Sequence, residues 1–266
     1  LKEFQKYALH EMGVSDRFFF MCGRGLSKSW MAATTAFVHC MLYPNARVVI
    51  VATTKDTSKR MFEEKMQGEL CSDRFSKKLN YLYEHGYIKF TYPEDKATVE
   101  FTFNGSTIVL LPEVEASAGK RATMIIMEEV RLSKQHIINR IFRPMKYARK
   151  SGFTMNQDSE YFDNPKYVEK AKEIYLTSTS YNYEWWFARW KDIVEKYFKS
   201  FGKTNTLKYR FFAGDIFTSI YHGFTTQEEF DDTLDDPTMS EDQIKMEYFN
   251  EPMGGVSGSF YNMEKI

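Results

Sequence analysis

The sequence predicts an α/β fold, with a mostly parallel central sheet flanked by helices and an antiparallel hairpin at its edge. Three observations predict it. Residues 17–33 (RFFFMCGRGLSKSWMAA) pass from an apolar run through a small-residue turn into an apolar helical stretch. Residues 47–52 (RVVIVA) are short, β-branched and apolar on both faces, as a strand covered on both sides must be. Residues 124–127 (MIIM) repeat that character and end in two carboxylates, Glu128 and Glu129.

The first of these carries the most chemistry. A tight loop at a helix start aims several backbone N–H groups at one point, and the helix dipole favours an anion there. Lys28 can reach outer phosphates, and the Ser29 hydroxyl can hold Mg²⁺. Gly23, Arg24, Gly25, Leu26 and Ser27 form the body of this loop. The general pattern G-x-x-x-x-G-K-[ST] puts glycines where Cys22 and Ser27 stand, so a pattern search misses it. A buried strand turning into an ordinary helix is the bland alternative.

Composition narrows the class. Hydrophobic residues make up 43%, enough for a core over 266 residues, which allows one large domain or two small ones. Formal net charge is zero, so any contact with nucleic acid has to come from local patches. Cys22, Cys40 and Cys71 have no paired spacing, which argues for reduced thiols rather than a disulfide or zinc framework. The chain is expected to carry no signal peptide, and no apolar run in it is long enough to span a bilayer. The first residue is Leu1 rather than Met, and the expectation is a piece of a longer protein.

In chain order, residues 1–12 predict a short amphipathic helix. Gln5 on it has an amide that can donate to and accept from an adenine edge, or can simply be a solvated helix residue. Residues 18–22 are the first strand, 29–42 the helix after the loop, 47–52 the second strand and 58–70 a charged helix. Residues 87–111 alternate in side-chain character around Asn104-Gly105 and predict a hairpin forming an accessory edge. Glu128 and Glu129 then stand at a strand's C-terminal end, where open α/β sheets bind ligands. Phosphoryl transfer to water needs Mg²⁺ beside the phosphates and a group that activates the attacking water. Glu128 suits the first role and Glu129 the second.

Residues 133–142 read as a helix that Pro144 ends. Residues 133–150 hold six Lys and Arg side chains and no acid, either a phosphate-contacting face or a solvated one. Residues 151–172 read as a loop and 173–178 as a strand. Thr177, Ser178 and Thr179 at its end could sense a γ-phosphate, although Thr is ordinary at strand ends. Residues 183–200 form an aromatic helix whose Trp185, Trp186 and Trp190 fit core or interface better than a base stack. Residues 207–213 are a further strand, 225–250 two acidic helices joined near Asp236-Pro237, and 251–259 a Gly/Ser-rich linker.

Four stretches, LKEFQKYAL, CGRGLSKSW, ASAGKRATMIIMEEVR and EIYLTSTSY, resemble, in that order, elements of the large terminase subunit of tailed bacteriophages. They match its adenine-contacting Gln motif, its variant phosphate loop with an internal arginine, the approach to its acidic motif, and its coupling motif. The sequence departs from the family in having Glu128 where Asp is usual and Ser27 for a glycine.

The resemblance implies a phosphate-loop ATPase of the additional-strand type over residues 1–250. Residues 251–266 would then link to a nuclease domain, and this chain is expected to lack nuclease activity. It implies ATP and Mg²⁺ as ligands and translocation of double-stranded viral DNA into a procapsid. Implied partners are double-stranded DNA, a ring of copies (a pentamer) on the portal, the portal protein and the small terminase subunit, in the host cytoplasm and with no membrane. Arg24 would correspond to a cis arginine on the outer phosphates. Arg121 is the first candidate for an arginine acting in trans, with Lys120 and Arg143 next. Two other readings share these motifs: a helicase-like nucleic-acid remodelling ATPase, and a degenerate nucleotide-binding structural module.

Overall fold

The computed structural model describes residues 1–92, 97–147, 149–150, 158, 160, 164, 168–201 and 208–254. The strands are β1 (Arg17–Cys22), β2 (Arg47–Ala52), β3 (Ile88–Thr91), β4 (Ala97–Phe101), β5 (Ser106–Pro112), β6 (Met124–Glu128), β7 (Arg149–Lys150), β8 (Val168–Glu169), β9 (Lys172–Thr177) and β10 (Tyr209–Gly214). Eight belong to one mixed sheet in the order β10-β1-β9-β6-β2-β5-β4-β3, and β7 and β8 form a separate pair. The fold is α/β, as the sequence predicts. No described helix is long and apolar enough to cross a membrane.

The chain divides into two compact units: residues 1–28, 129–131 and 175–266, and residues 29–128 and 132–174. The chain passes between them at Lys28–Ser29, Glu128–Glu129, Arg131–Leu132 and Ile174–Tyr175.

In the first unit, β1 and β10 pair in parallel. Helix α1 (Glu3–Val14) begins at Lys2, whose N–H donates to Gln5 Oε1 at 3.0 Å. Phe18, Phe19 and Phe20 are fully buried. Each contributes about 1.5–3 kcal/mol by leaving water. Phe19 stacks on Tyr175 and meets Trp190 edge-on. Trp190 also meets Phe211, and Trp186 is fully buried. These tryptophans therefore serve the core, as their spacing predicts.

In the second unit, helix α2 (Lys28–Leu42) follows the loop, and β2 pairs in parallel with both β5 and β6. The predicted hairpin exists: β4 and β5 are antiparallel across Asn104-Gly105, and β3 adds to β4. Gly105 has φ +72, and a Cβ there would lie 2.6 Å from Asn45 Oδ1, so glycine is required. One expectation needs correction. Residues 106–112 are not an accessory edge, because β5 is also a parallel core strand beside β2; only β3 and β4 lie outside the parallel block.

Two predicted helices differ in form. Thr54 Oγ1 accepts from Thr57 N–H at 3.1 Å, so the predicted 58–70 helix starts earlier, as α3 (Lys55–Arg60). It continues as a π-helical stretch, Met61–Leu70. Helix α4 (Lys77–Glu84) follows, begun by Ser76. The predicted 133–142 helix is a short α-turn, α5 (Gln135–Ile137), then a π-turn (Ile138–Phe142) and a 3-10 turn (Arg143–Met145) that contains Pro144. The remaining helices, α6 (Trp185–Ser200), α7 (Ile216–Tyr221), α8 (Gln227–Leu234) and α9 (Glu241–Glu247), belong to the first unit. Helices α8 and α9 are the two acidic helices predicted, and α7 is an element the sequence reading missed.

Most of the predicted 151–172 loop, and residues 255–266 of the predicted linker, lie outside the described residues. The linker's beginning is tied down: Met253 N–H donates to Ser180 O at 3.1 Å, and Met253 O accepts from Asn182 N–H.

Candidate functional site

The loop between β1 and α2 is shaped by its small residues. Gly23 lies against the end of α9: a Cβ there would sit 2.8 Å from Tyr248 O and 3.1 Å from Glu247 O. Gly25 has φ +83, and its Cβ would meet Ser219 Oγ at 2.9 Å. Ser27 has φ +56. The serine therefore adopts the left-handed conformation that the missing glycine would take freely, at a cost of roughly 1–2 kcal/mol. Leu26 is fully buried, as is Cys22, whose thiol burial pushes well above its ordinary range. Lys28 Nζ folds back over the loop, donating to Cys22 O at 2.9 Å and Gly23 O at 3.0 Å. The residues after Ser27 open α2, where helical N–H groups have no partner within the helix.

In the second unit, Ser29 Oγ donates to Glu128 Oε1. Glu128 closes β6 and is 3% exposed. A hydroxyl and a carboxylate are both hard oxygen donors, the type Mg²⁺ takes in small number while keeping water and phosphate oxygens. The pair fits that ion. Among the described residues there is no cluster of three or more His, Cys, Asp or Glu that could hold a metal.

In the first unit a charged network surrounds Glu129. Glu129 has φ +49, a strained backbone for a long side chain. Its Oε2 lies 3.4 Å from Arg131 Nε and accepts from Ser178 Oγ at 3.5 Å. Arg131 Nη1 donates to Thr179 O at 3.1 Å, and Arg131 N–H donates to Thr177 Oγ1 at 3.2 Å. Arg131 Nη2 lies 2.6 Å from Glu247 Oε1. Arg24 reaches the same glutamate, with Nε 3.2 Å from Oε2, while its own side chain is 64% exposed. Burial pulls the Glu247 carboxyl upward, but the Arg131 and Arg24 guanidiniums outweigh it and hold it below the ordinary carboxylate range. Thr177, Ser178 and Thr179 are all buried, and Thr179 Oγ1 has no hydrogen-bond partner among the described residues. A buried, unpaired hydroxyl in a native site is a candidate ligand contact.

Other predicted site residues lie elsewhere or act differently. Gln5 is 6% exposed and caps its own helix through Oε1. It is not a solvated residue, and one acceptor position of its amide is taken by the cap. Arg121 is exposed and precedes β6, while Glu128 closes that strand. The five residues of β6 alone span roughly 13 Å between them. The basic stretch is partly neutralised: Arg143 and Lys146 both pair with the fully buried Glu173, and Arg140 lies 4.0 Å from Glu115. Arg131 and Glu247 escaped the sequence reading. Arg131 carried one signal, its place two residues after the acid pair; Glu247 carried none within an acidic helix.

A family model described as the N-terminal part of the T4-like type of terminase large subunit matches residues 19–266. The chain belongs to the large terminase family.

A search of curated protein sequences finds no match. Among solved structures, the chain is similar to the large terminase ATPase domain of Thermus phage P74-26. The identity is 13%, with 95% of this chain and 94% of that one covered and a TM-score of 0.60. It is also similar to the large terminase of bacteriophage HK97, at 12% identity, 95% and 50% coverage and a TM-score of 0.59. A third is the large terminase of a thermophilic bacteriophage in complex with ADP, at 9% identity, 94% and 53% coverage and a TM-score of 0.59. At such identities the likeness shows the fold. The chain spans about half the length of the last two terminases.

Proposed function

We propose that this terminase domain binds ATP, hydrolyses it, and couples hydrolysis to translocation of double-stranded DNA into a procapsid. The hydrogen bond between Ser29 and Glu128 is the observation that carries the reading. Ser29 follows Lys28 and Glu128 precedes Glu129, so one bond links the phosphate-binding sequence to the acid pair. Two of the similar structures, both of the thermophilic phage's terminase, are complexes with ADP and with ATP-γ-S.

Lys28 neutralises the outer phosphates, and the N–H groups of Gly25, Leu26, Ser27, Lys28 and Ser29 cradle them. Arg24 contacts the same oxygens. Ser29 and Glu128 would hold Mg²⁺, which would supply positive charge beside the phosphates. Glu129 accepts a proton from the attacking water. The water oxygen bonds to the γ-phosphorus as the bond to the bridging oxygen breaks, giving ADP and inorganic phosphate. Thr177, Ser178 and Thr179 sense the γ-phosphate, and Thr179 Oγ1 is the buried hydroxyl with capacity to do so. Gln5 Nε2 addresses adenine. In a ring of copies, Arg121 of a neighbouring subunit stabilises the transition-state charge, which is compatible with its exposure and its distance from Glu128 along β6.

Phosphate release from ATP, measured with and without double-stranded DNA, tests the proposal. Hydrolysis that DNA stimulates supports the motor. Hydrolysis indifferent to DNA removes the coupling, and nucleotide binding without turnover leaves only a structural module.

A further inference from the structure

We infer that Arg131 is the positioning residue for Glu129 and that Glu247 holds Arg131 in that role. The inference rests on Glu129 acting as the base in the reading above. Nothing in the general phosphate-loop chemistry assigns either residue a task.

One guanidinium spans three groups. Its Nε faces Glu129 Oε2 at 3.4 Å, its Nη1 donates to Thr179 O at 3.1 Å, and its Nη2 meets Glu247 Oε1 at 2.6 Å. The Arg131 backbone N–H adds a bond to Thr177 Oγ1. The Arg131 side chain is 16% exposed and that of Glu247 15%, so the ion pair is shielded from bulk water. An exposed pair of long side chains would be worth little, but a shielded one with a planar fork on several acceptors holds its geometry.

Glu129 needs such a support. Its backbone sits at φ +49, which persists only when the surroundings over-determine it. Among the described residues, its carboxylate also accepts a long 3.5 Å bond from Ser178. The shortest ion-pair contact in the network runs from Arg131 to Glu247 rather than to Glu129. Glu247 thus anchors the guanidinium, and the longer contact from Nε orients Glu129. The Glu129 carboxylate is fixed through Arg131 to the last turn of α9.

Single-turnover ATP hydrolysis and ADP affinity by calorimetry, measured on the same protein, test this. Arg131→Ala and Glu247→Gln should each slow the chemical step roughly 10- to 100-fold, the scale of a misplaced catalytic group. ADP affinity should stay within about threefold. The double variant should lose little more than either single one, since both break one chain of contacts. Arg131→Ala turning over at the wild-type rate, beside an inactive Glu129→Gln, overturns the role of Arg131 and leaves Glu129 as base. Rate and ADP binding lost together in Arg131→Ala also overturn it, because the residue would then be structural. Normal turnover by Glu129→Gln overturns both readings.

Discussion

Ser29 Oγ donates to Glu128 Oε1, joining the residue after the loop lysine to the first carboxylate of the acid pair. If the two hold Mg²⁺ together, Ser29→Ala should raise the Mg²⁺ concentration for half-maximal ATP hydrolysis about tenfold, the scale of one lost supporting ligand. Glu128→Asp should stay active, since it keeps a carboxylate on the same strand end. Mg²⁺ titrations of phosphate release measure both.

Lys28→Ala should abolish turnover by removing the cation that rests on Cys22 O and Gly23 O. Glu129→Gln should bind ATP and lose about 10²- to 10⁴-fold in rate, the range attributed to a general base. Nucleotide binding and phosphate release, assayed side by side, separate the two outcomes.

The strained loop residue gives a stability test. Ser27→Gly should be neutral or stabilising by up to about 1 kcal/mol, because glycine takes φ +56 without steric cost but loses more chain entropy. Gly23→Ala should destabilise by about 1–3 kcal/mol, since its Cβ would press on the Tyr248 carbonyl. Thermal melts in the absence of nucleotide read the difference.

Glu247 predicts a pH dependence. Its carboxyl is held below the ordinary value of 4.5 in the folded chain by Arg131 and Arg24, against the upward pull of burial. A depressed folded value means the ionised form favours folding, so this contribution is present above about pH 4.5 and fades as pH falls through the folded value. The melting-temperature gap between wild type and Glu247→Gln should therefore be widest near neutrality and shrink below that pH. A gap that widens in acid would contradict the assignment.

Glu173 is fully buried between Arg143 and Lys146. Lys146→Met should cost up to about 3 kcal/mol by leaving that carboxylate poorly compensated. Lys134→Ala, an exposed site, should change stability little. If DNA affinity falls in Lys134→Ala but stability does not, the exposed part of this stretch touches phosphate. Equal stability losses in both variants would sink the distinction.

Much of this protein was legible in its sequence because the signals were local. Apolar runs at residues 18–22, 47–52 and 124–127 announced strands, since a strand covered on both faces is apolar throughout. The turn at Asn104-Gly105 announced the hairpin, and the order of loop, acid pair and hydroxyl-rich strand end announced the family. The chain could also show that Ser27 stands in a glycine's place. Tertiary structure decided what depended on distant partners. Ser27 takes a left-handed backbone angle, the kind glycine adopts without strain. Strand β5 joins the parallel block because β2 lies beside it. Gln5 is spent partly on a cap, and Arg143 and Lys146 on a buried acid. Arg131 and Glu247 acquire meaning only when α9 folds back on the loop, where Arg24 N–H meets Glu247 O. A strand's burial is written in its own side chains, whereas a charge's role is fixed by whichever charge the fold brings beside it.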